Sequence, residues 1–144
     1  MGTTIGARAL SGGRPVTRED VQRWLDAYVE AWRTSDPAAI ADLFGESVEY
    51  RYQPYGDPVV GREAVVADWL EEPDAAGSWQ AHYEPYAVDG DRAVAVGESR
   101  YLKEDGSLRT VFSNAWLLRF DGDGRCAEFT EYWREHPKDQ LPAG

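Results

Sequence analysis

Between residues 79 and 135 the chain reads Asp-Gly at three places: at Asp89-Gly90, at Asp105-Gly106 and, doubled, in Asp121-Gly122-Asp123-Gly124. Each time the pair stands between two stretches in which apolar and polar residues alternate. Asp-Gly supplies the positive φ that tight hairpin turns require, so an Asp-Gly flanked in this way is a hairpin signal. Three in series predict four consecutive antiparallel strands, near Trp79–Val88, Ala93–Lys103, Leu108–Phe120 and Cys126–Glu135. Such a sheet has one apolar face to cover, and the cover has to come from the residues before it.

Those residues are helical in period. Thr17 followed by Asp20 forms a capping-box pattern, and Val21, Trp24, Leu25, Tyr28, Val29 and Trp32 recur at three- and four-residue spacing. Ser35-Asp36-Pro37 closes this helix and opens a short second one, with Pro37 suited to its first turn and Ile40, Leu43 and Phe44 on its buried side. From Ser47 the period falls to two: Val48, Tyr50 and Tyr52 alternate with Glu49 and Arg51, as in a half-buried strand. Pro54, Gly56 and Pro58 end it, and Gly61 opens a third helix, residues 62 to 71, with Val65, Val66 and Trp69 on its inner side.

The expected fold is therefore α+β: a cone-shaped roll of three N-terminal helices packed on a strongly curved, mainly antiparallel sheet. With 144 residues, one such domain accounts for the chain. We place it at 16–137, after a Gly-rich N-terminal arm at 1–15 that is expected to be disordered, and before a flexible tail at 138–144.

Charge and composition exclude several classes of function. The net charge is −11, and only Lys103 and Lys138 are lysines, so the basic footprint that nucleic acid or an anionic membrane surface demands is missing. Neither His82 nor His136 stands at metal-ligand spacing to another His or to the single cysteine, Cys126. Glycine-rich phosphate loops and a Gly-x-Ser-x-Gly nucleophile elbow are absent, and Ser99 and Ser113 have no evident His–Asp partners in the sequence. No metal or cofactor is expected. One cysteine in an apolar-alternating segment, no apolar leader and no stretch of membrane-spanning length lead us to expect a cytoplasmic protein with a buried, inert thiol.

Six Trp, eight Tyr and four Phe are more aromatic surface than packing alone asks of a small domain. By strand alternation, Phe129, Glu131 and Trp133 share one face of the last strand, and Phe112, Asn114, Trp116 and Leu118 share the apolar face of the one before it. Trp32, Tyr50, Tyr52, Trp69, Trp116, Phe129 and Trp133 are thus expected to converge on a pocket for a small apolar molecule. Glu131, a carboxylate between aromatics, is its foremost candidate acid or base, because burial without a counter-ion raises a carboxyl pKa into the useful range. Asn114 is either a hydrogen-bond partner for Glu131 or a group that polarises the substrate. His82 joins Glu131 as a proton relay if its strand turns it inward. Ala95, Gly97 and Ser99 leave room for a ligand if their face is concave. Asp68 reads as the solvated side of the third helix.

The segments Tyr28–Ile40, Leu43-Phe44-Gly45-Glu46-Ser47-Val48, Gly61–Val65 and Arg119–Arg125 resemble, in order and spacing, the nuclear-transport-factor-2-like superfamily, and within it the SnoaL-like and ketosteroid-isomerase-like proteins. The resemblance runs from about residue 17 to residue 136 and implies the cone fold. It implies an oxyanion-stabilising phenol at Tyr28. It also puts Tyr52 where the isomerases carry their carboxylate base and Trp116 where they carry a protonated acid, so the steroid-isomerase apparatus is not expected. A homodimer through the convex sheet face is implied as well, with Glu98, Arg100, Glu128 and Arg134 on that face.

Three functions fit these residues. The first is a cofactor-independent acid–base enzyme (isomerase, dehydratase, cyclase or hydrolase) acting on an aromatic or polyketide-like substrate, with Glu131 moving the proton. A non-catalytic binder using the same pocket is the second, and a dimeric protein-interaction module the third. The last differs from the others in exposing its apolar surface rather than enclosing it.

Overall fold

The computed structural model describes residues 15–142. Helix α1 spans Arg18–Thr34 and begins in the expected capping box: the Thr17 hydroxyl accepts from the Asp20 amide, and the Asp20 carboxylate accepts from the Thr17 amide. Ser35 ends the helix in the left-handed region, φ 54°, and Asp36 caps α2, Pro37–Leu43. Phe44 does not belong to this helix, as its spacing suggested. It is the first residue of strand β1, Phe44–Arg51, so the chain passes from helix to strand without a loop. A two-residue strand β2, Val59–Val60, lies in the stretch read as pure connection and pairs antiparallel with β1. Helix α3 follows at Arg62–Glu71.

The meander is present almost residue for residue: β3 Trp79–Asp89, β4 Arg92–Leu102, β5 Leu108–Phe120 and β6 Cys126–Glu135. Its turns place Gly90, Gly106 and Gly124 at φ between +61° and +87°, which is the conformational demand that the Asp-Gly pairs announced. The sheet runs β2-β1-β6-β5-β4-β3, with every neighbour antiparallel except β1 and β6. Register shifts at Pro85/Ala87, Tyr101/Leu102 and Arg119/Phe120 bend three of the meander strands, and such bulges are how a sheet curls. Pro85 sits on the edge strand β3, where its missing N–H costs no ladder bond; its carbonyl accepts from Arg18 Nη2 at 2.6 Å.

The narrow end of the cone is solid. Val21, Leu25, Phe44, Val48, Phe120 and Phe129 are buried there around Trp24, whose indole N–H donates to the Leu43 carbonyl at 2.9 Å. Cys126 is part of this core and buried as expected; its thiol donates to the Glu128 carbonyl at 3.1 Å, and burial pushes its pKa up. No helix among the described residues is long and apolar enough to cross a membrane. The expected arm at 1–15 falls outside the described residues except for Pro15. The tail at 138–144 begins with a 3-10 turn, Lys138–Gln140, tied to the sheet where Lys138 Nζ donates to the Arg109 carbonyl at 3.1 Å.

Candidate functional site

At its wide end the cone opens into a cavity of about 450 Å³. Ten of the nineteen described residues lining it are aromatic, contributed by α1, β1, α3 and the four meander strands, together with Tyr52 just past the end of β1. Tyr28, Trp32, Tyr50, Tyr52, Trp69, Trp116 and Trp133 all line it, as the sequence led us to expect. Phe129 does not. It is wholly buried behind the wall, stacked on Tyr50 at 4.2 Å and on Tyr28 at 5.7 Å, and so it supports the lining rings. Trp32 stacks on Trp79 at 3.7 Å and donates its indole N–H to Asp74 at 2.9 Å, which fixes it across the opening.

Glu131 faces this cavity from β6, in register with Trp116 on β5. Its Oε2 accepts from the Trp116 indole N–H at 3.1 Å. The Asn114 amide is assigned with its nitrogen donating to the same Oε2 at 3.2 Å and its oxygen accepting from Tyr83 Oη at 2.6 Å, because the reverse orientation would set oxygen against two acceptors. Oε1 has no protein donor among the described residues. Both bonds to Oε2 come from neutral groups, so burial is opposed by no cation and raises the carboxyl pKa above the ordinary glutamate value.

Asn114 thus holds Glu131 and also lines the cavity. It is buried, as are its partners Tyr83 and Ser99, whose hydroxyls meet at 2.5 Å. The sequence did not mark Tyr83. Its signal was Gly97 directly across the β3–β4 ladder: a Cβ there would fall 2.5 Å from the Tyr83 ring and 2.0 Å from the His82 carbonyl oxygen. The room left at Gly97 is taken by the Tyr83 ring, which goes on to stack on Trp116 at 4.0 Å, and not by a ligand.

His82 is not in the site. Alternation along β3 turns Trp79, Ala81 and Tyr83 inward and leaves His82 exposed on the other face, away from Glu131. His136 instead meets Ser113, Nε2 to Oγ at 2.7 Å, on the exposed side of the sheet, a pairing the sequence gave no reason to expect.

The Tyr28 and Tyr50 hydroxyls lie 2.6 Å apart. One donates to the other, which leaves one phenolic proton with no partner in the pair. Burial pushes both pKa values well above the ordinary phenol range, with neighbouring tyrosines and Glu131 adding to it, so both stay protonated and available as donors. Tyr101 is pushed up to about 12 by burial, then by Asp74 and Glu131, against a lowering from Arg109. Asp68 is at the mouth rather than on an idle helix side, and accepts a hydrogen bond from Tyr52.

Among known proteins, a family model described as the SnoaL-like domain matches residues 25–129. A candidate ketosteroid isomerase from Kribbella flavida DSM 17836 is similar in fold, with 20% identity over 88% of this chain and 85% of that one, and a TM-score of 0.63. A nuclear-transport-factor-2-like protein of unknown function from Mesorhizobium loti shares 27% identity over 83% of this chain and 96% of its own, with a TM-score of 0.59. No curated protein matches.

Proposed function

This chain belongs to the SnoaL-like domain family, and on that footing we propose that it is a cofactor-independent acid–base enzyme acting on a small, largely apolar, aromatic substrate. The observation that carries the reading is the asymmetry of Glu131: Oε2 is held by two neutral N–H donors while Oε1 is left for whatever fills the cavity. A carboxylate partly buried among rings and without a counter-cation is a stronger base than one in water, and burial raises its pKa in the direction that proton abstraction needs. In this mechanism Oε1 takes a proton from the substrate. The spare phenolic proton of the Tyr28–Tyr50 pair is donated to the oxygen on which negative charge develops. Glu131 then returns the proton to a different atom or to the leaving group. The aromatic rings hold the substrate's flat body and exclude water.

The test is a nitrobenzisoxazole, whose ring opens when a base removes its carbon-bound proton and the N–O bond breaks, releasing a coloured cyanonitrophenolate. The protein is expected to open it faster than acetate does, and Glu131→Gln to lose about 10²–10⁴ of that rate, the span general-base catalysis supplies. An unchanged rate in the variant would overturn the assignment. Ligand recovered unaltered from a protein inactive on the probe would favour the non-catalytic binder. The same reading includes a homodimer through the convex face, supported by Leu117 and Tyr132, which are exposed there.

A further inference from the structure

The ionisable side chains around the cavity are of one kind. Besides its tyrosines, the lining holds Glu131 on the wall and Asp68, Glu72 and Asp74 at the mouth, with no Lys, Arg or His among the described residues. The carboxylates border a cavity of about 450 Å³, open at its mouth, whose remaining wall is mostly aromatic. Aromatic faces attract cations through their ring quadrupole, and carboxylates attract them directly. The protein already uses one wall ring in this way, since the Arg109 guanidinium carbon lies 5.5 Å from the Tyr101 ring centroid.

An anion entering would meet four carboxylates and, among the described residues of the lining, no cationic side chain. Its donors would be neutral groups, the hydroxyls of the lining and the indoles, and two of those indoles, Trp32 and Trp116, already donate to Asp74 and Glu131. A neutral molecule would fit but leave Glu131 on the wall without a counter-charge. A molecule with a flat apolar body and a positively charged nitrogen answers both features of the lining.

Resting on the reading of this cavity as a substrate site, we infer that its ligand is a cation, an aromatic or alicyclic ammonium whose ring lies among the tryptophans and tyrosines and whose charge is balanced by the carboxylates of wall and mouth. The acidic rim also draws such a ligand in, as a cleft of one sign concentrates its counter-ion. Substrates bearing a carboxylate or phosphate are selected against by the same geometry.

Three probes of matched size test this on the full chain by calorimetry and tryptophan fluorescence: benzyltrimethylammonium, its uncharged carbon isostere neopentylbenzene, and phenylacetate. The ammonium is expected to bind about fivefold or more tighter than the isostere, the range a partly desolvated cation–π site gives, and phenylacetate not to bind. Glu131→Gln should weaken the ammonium and leave the isostere unchanged. The triple change Asp68→Asn, Glu72→Gln, Asp74→Asn should do the same from the exposed mouth, where folding is not at stake, with a thermal melt as the check.

Equal affinity for ammonium and isostere, binding of phenylacetate as tight as that of the ammonium, or no binding of any probe overturns the inference. The nitrobenzisoxazole is uncharged, so the two readings fail separately. A protein that opens its ring but ignores the ammonium loses only the charge preference. One that holds the ammonium through Glu131 but leaves the ring closed loses only the proton transfer.

Discussion

Glu128 and Glu131 belong to the same strand, β6, and face opposite ways. On the convex side Glu128 accepts from Arg119 at 3.0 Å, and Arg92 approaches at 3.7 Å, both across water-exposed surface. On the concave side Glu131 has only the Trp116 and Asn114 N–H groups, against a wall of rings. The residue type and the strand are shared, so the difference in chemistry comes from what the opposite faces of β5 and β4 present. Convex β5 offers an arginine at position 119; concave β5 offers an indole at 116 and an amide at 114. A carboxylate becomes a base here by being denied a counter-ion.

The sharpest way to break this comparison is to neutralise each glutamate in turn. Glu131→Gln is expected to lower proton transfer to the probe by about 10²–10⁴, and Glu128→Gln to leave it within about twofold, because a screened surface pair contributes little. Equal losses in the two variants would mean that the face does not matter. The next largest effect is expected from Asn114→Ala. Removing the amide leaves the buried Tyr83 and Ser99 hydroxyls only each other, so one of their protons loses its acceptor, a loss of about 1–3 kcal/mol in a denaturation experiment. It also removes a donor to the charged form of Glu131, so the carboxyl pKa rises further and the pH–rate profile moves to higher pH. A role confined to packing would destabilise the protein without moving the profile.

The contrast between the faces was legible in the sequence wherever alternation was unbroken. Along β5 and β6 the period of two held from the Asp-Gly turns onward, and it put Glu131, Asn114 and Trp116 inward and Glu128 outward before any contact was known. It was not legible on β3, where the bulge at Pro85 and the unmarked start at Trp79 left the face of His82 open and hid Tyr83. Two features were invisible for a different reason. The parallel pairing of β1 with β6 and the two-residue strand Val59–Val60 are long-range or too short to have a period, so no local pattern encodes them. The Tyr28–Tyr50 hydroxyl pair likewise depends on how a helix docks on a strand. Phe44 was misplaced because an apolar residue one step beyond Leu43 serves a helix face and a strand start equally well. Likewise Asp68 looked idle because solvent exposure and position at a mouth are the same thing to helical spacing.

The burial of Glu131 also makes stability depend on pH, in a direction opposite to that of a salt-bridged carboxylate. Its pKa is raised on folding, so between the unfolded and folded values the native state holds more proton than the unfolded chain. Stability is then fully present below the ordinary glutamate pKa and declines as pH climbs through the window up to the folded value. Denaturation curves are expected to show Glu131→Gln more stable than the parent at neutral pH, with the two converging in acid. A parent that is the more stable at neutral pH would mean that Glu131 has a cation the lining does not contain.

The smallest effect is expected on the convex face. Arg119→Met removes the closest partner of Glu128, but the carboxylate stays in water with Arg92 nearby, and the pair is worth at most about 1 kcal/mol. The loss should shrink further in added salt, since exposed charges are screened within about 10 Å at moderate ionic strength. Urea melts of Arg119→Met at low and high salt read this directly. A loss of several kcal/mol that ignores salt would place the Arg119–Glu128 pair out of water, in a buried interface, and would turn the convex face from a solvated surface into the seat of the proposed homodimer.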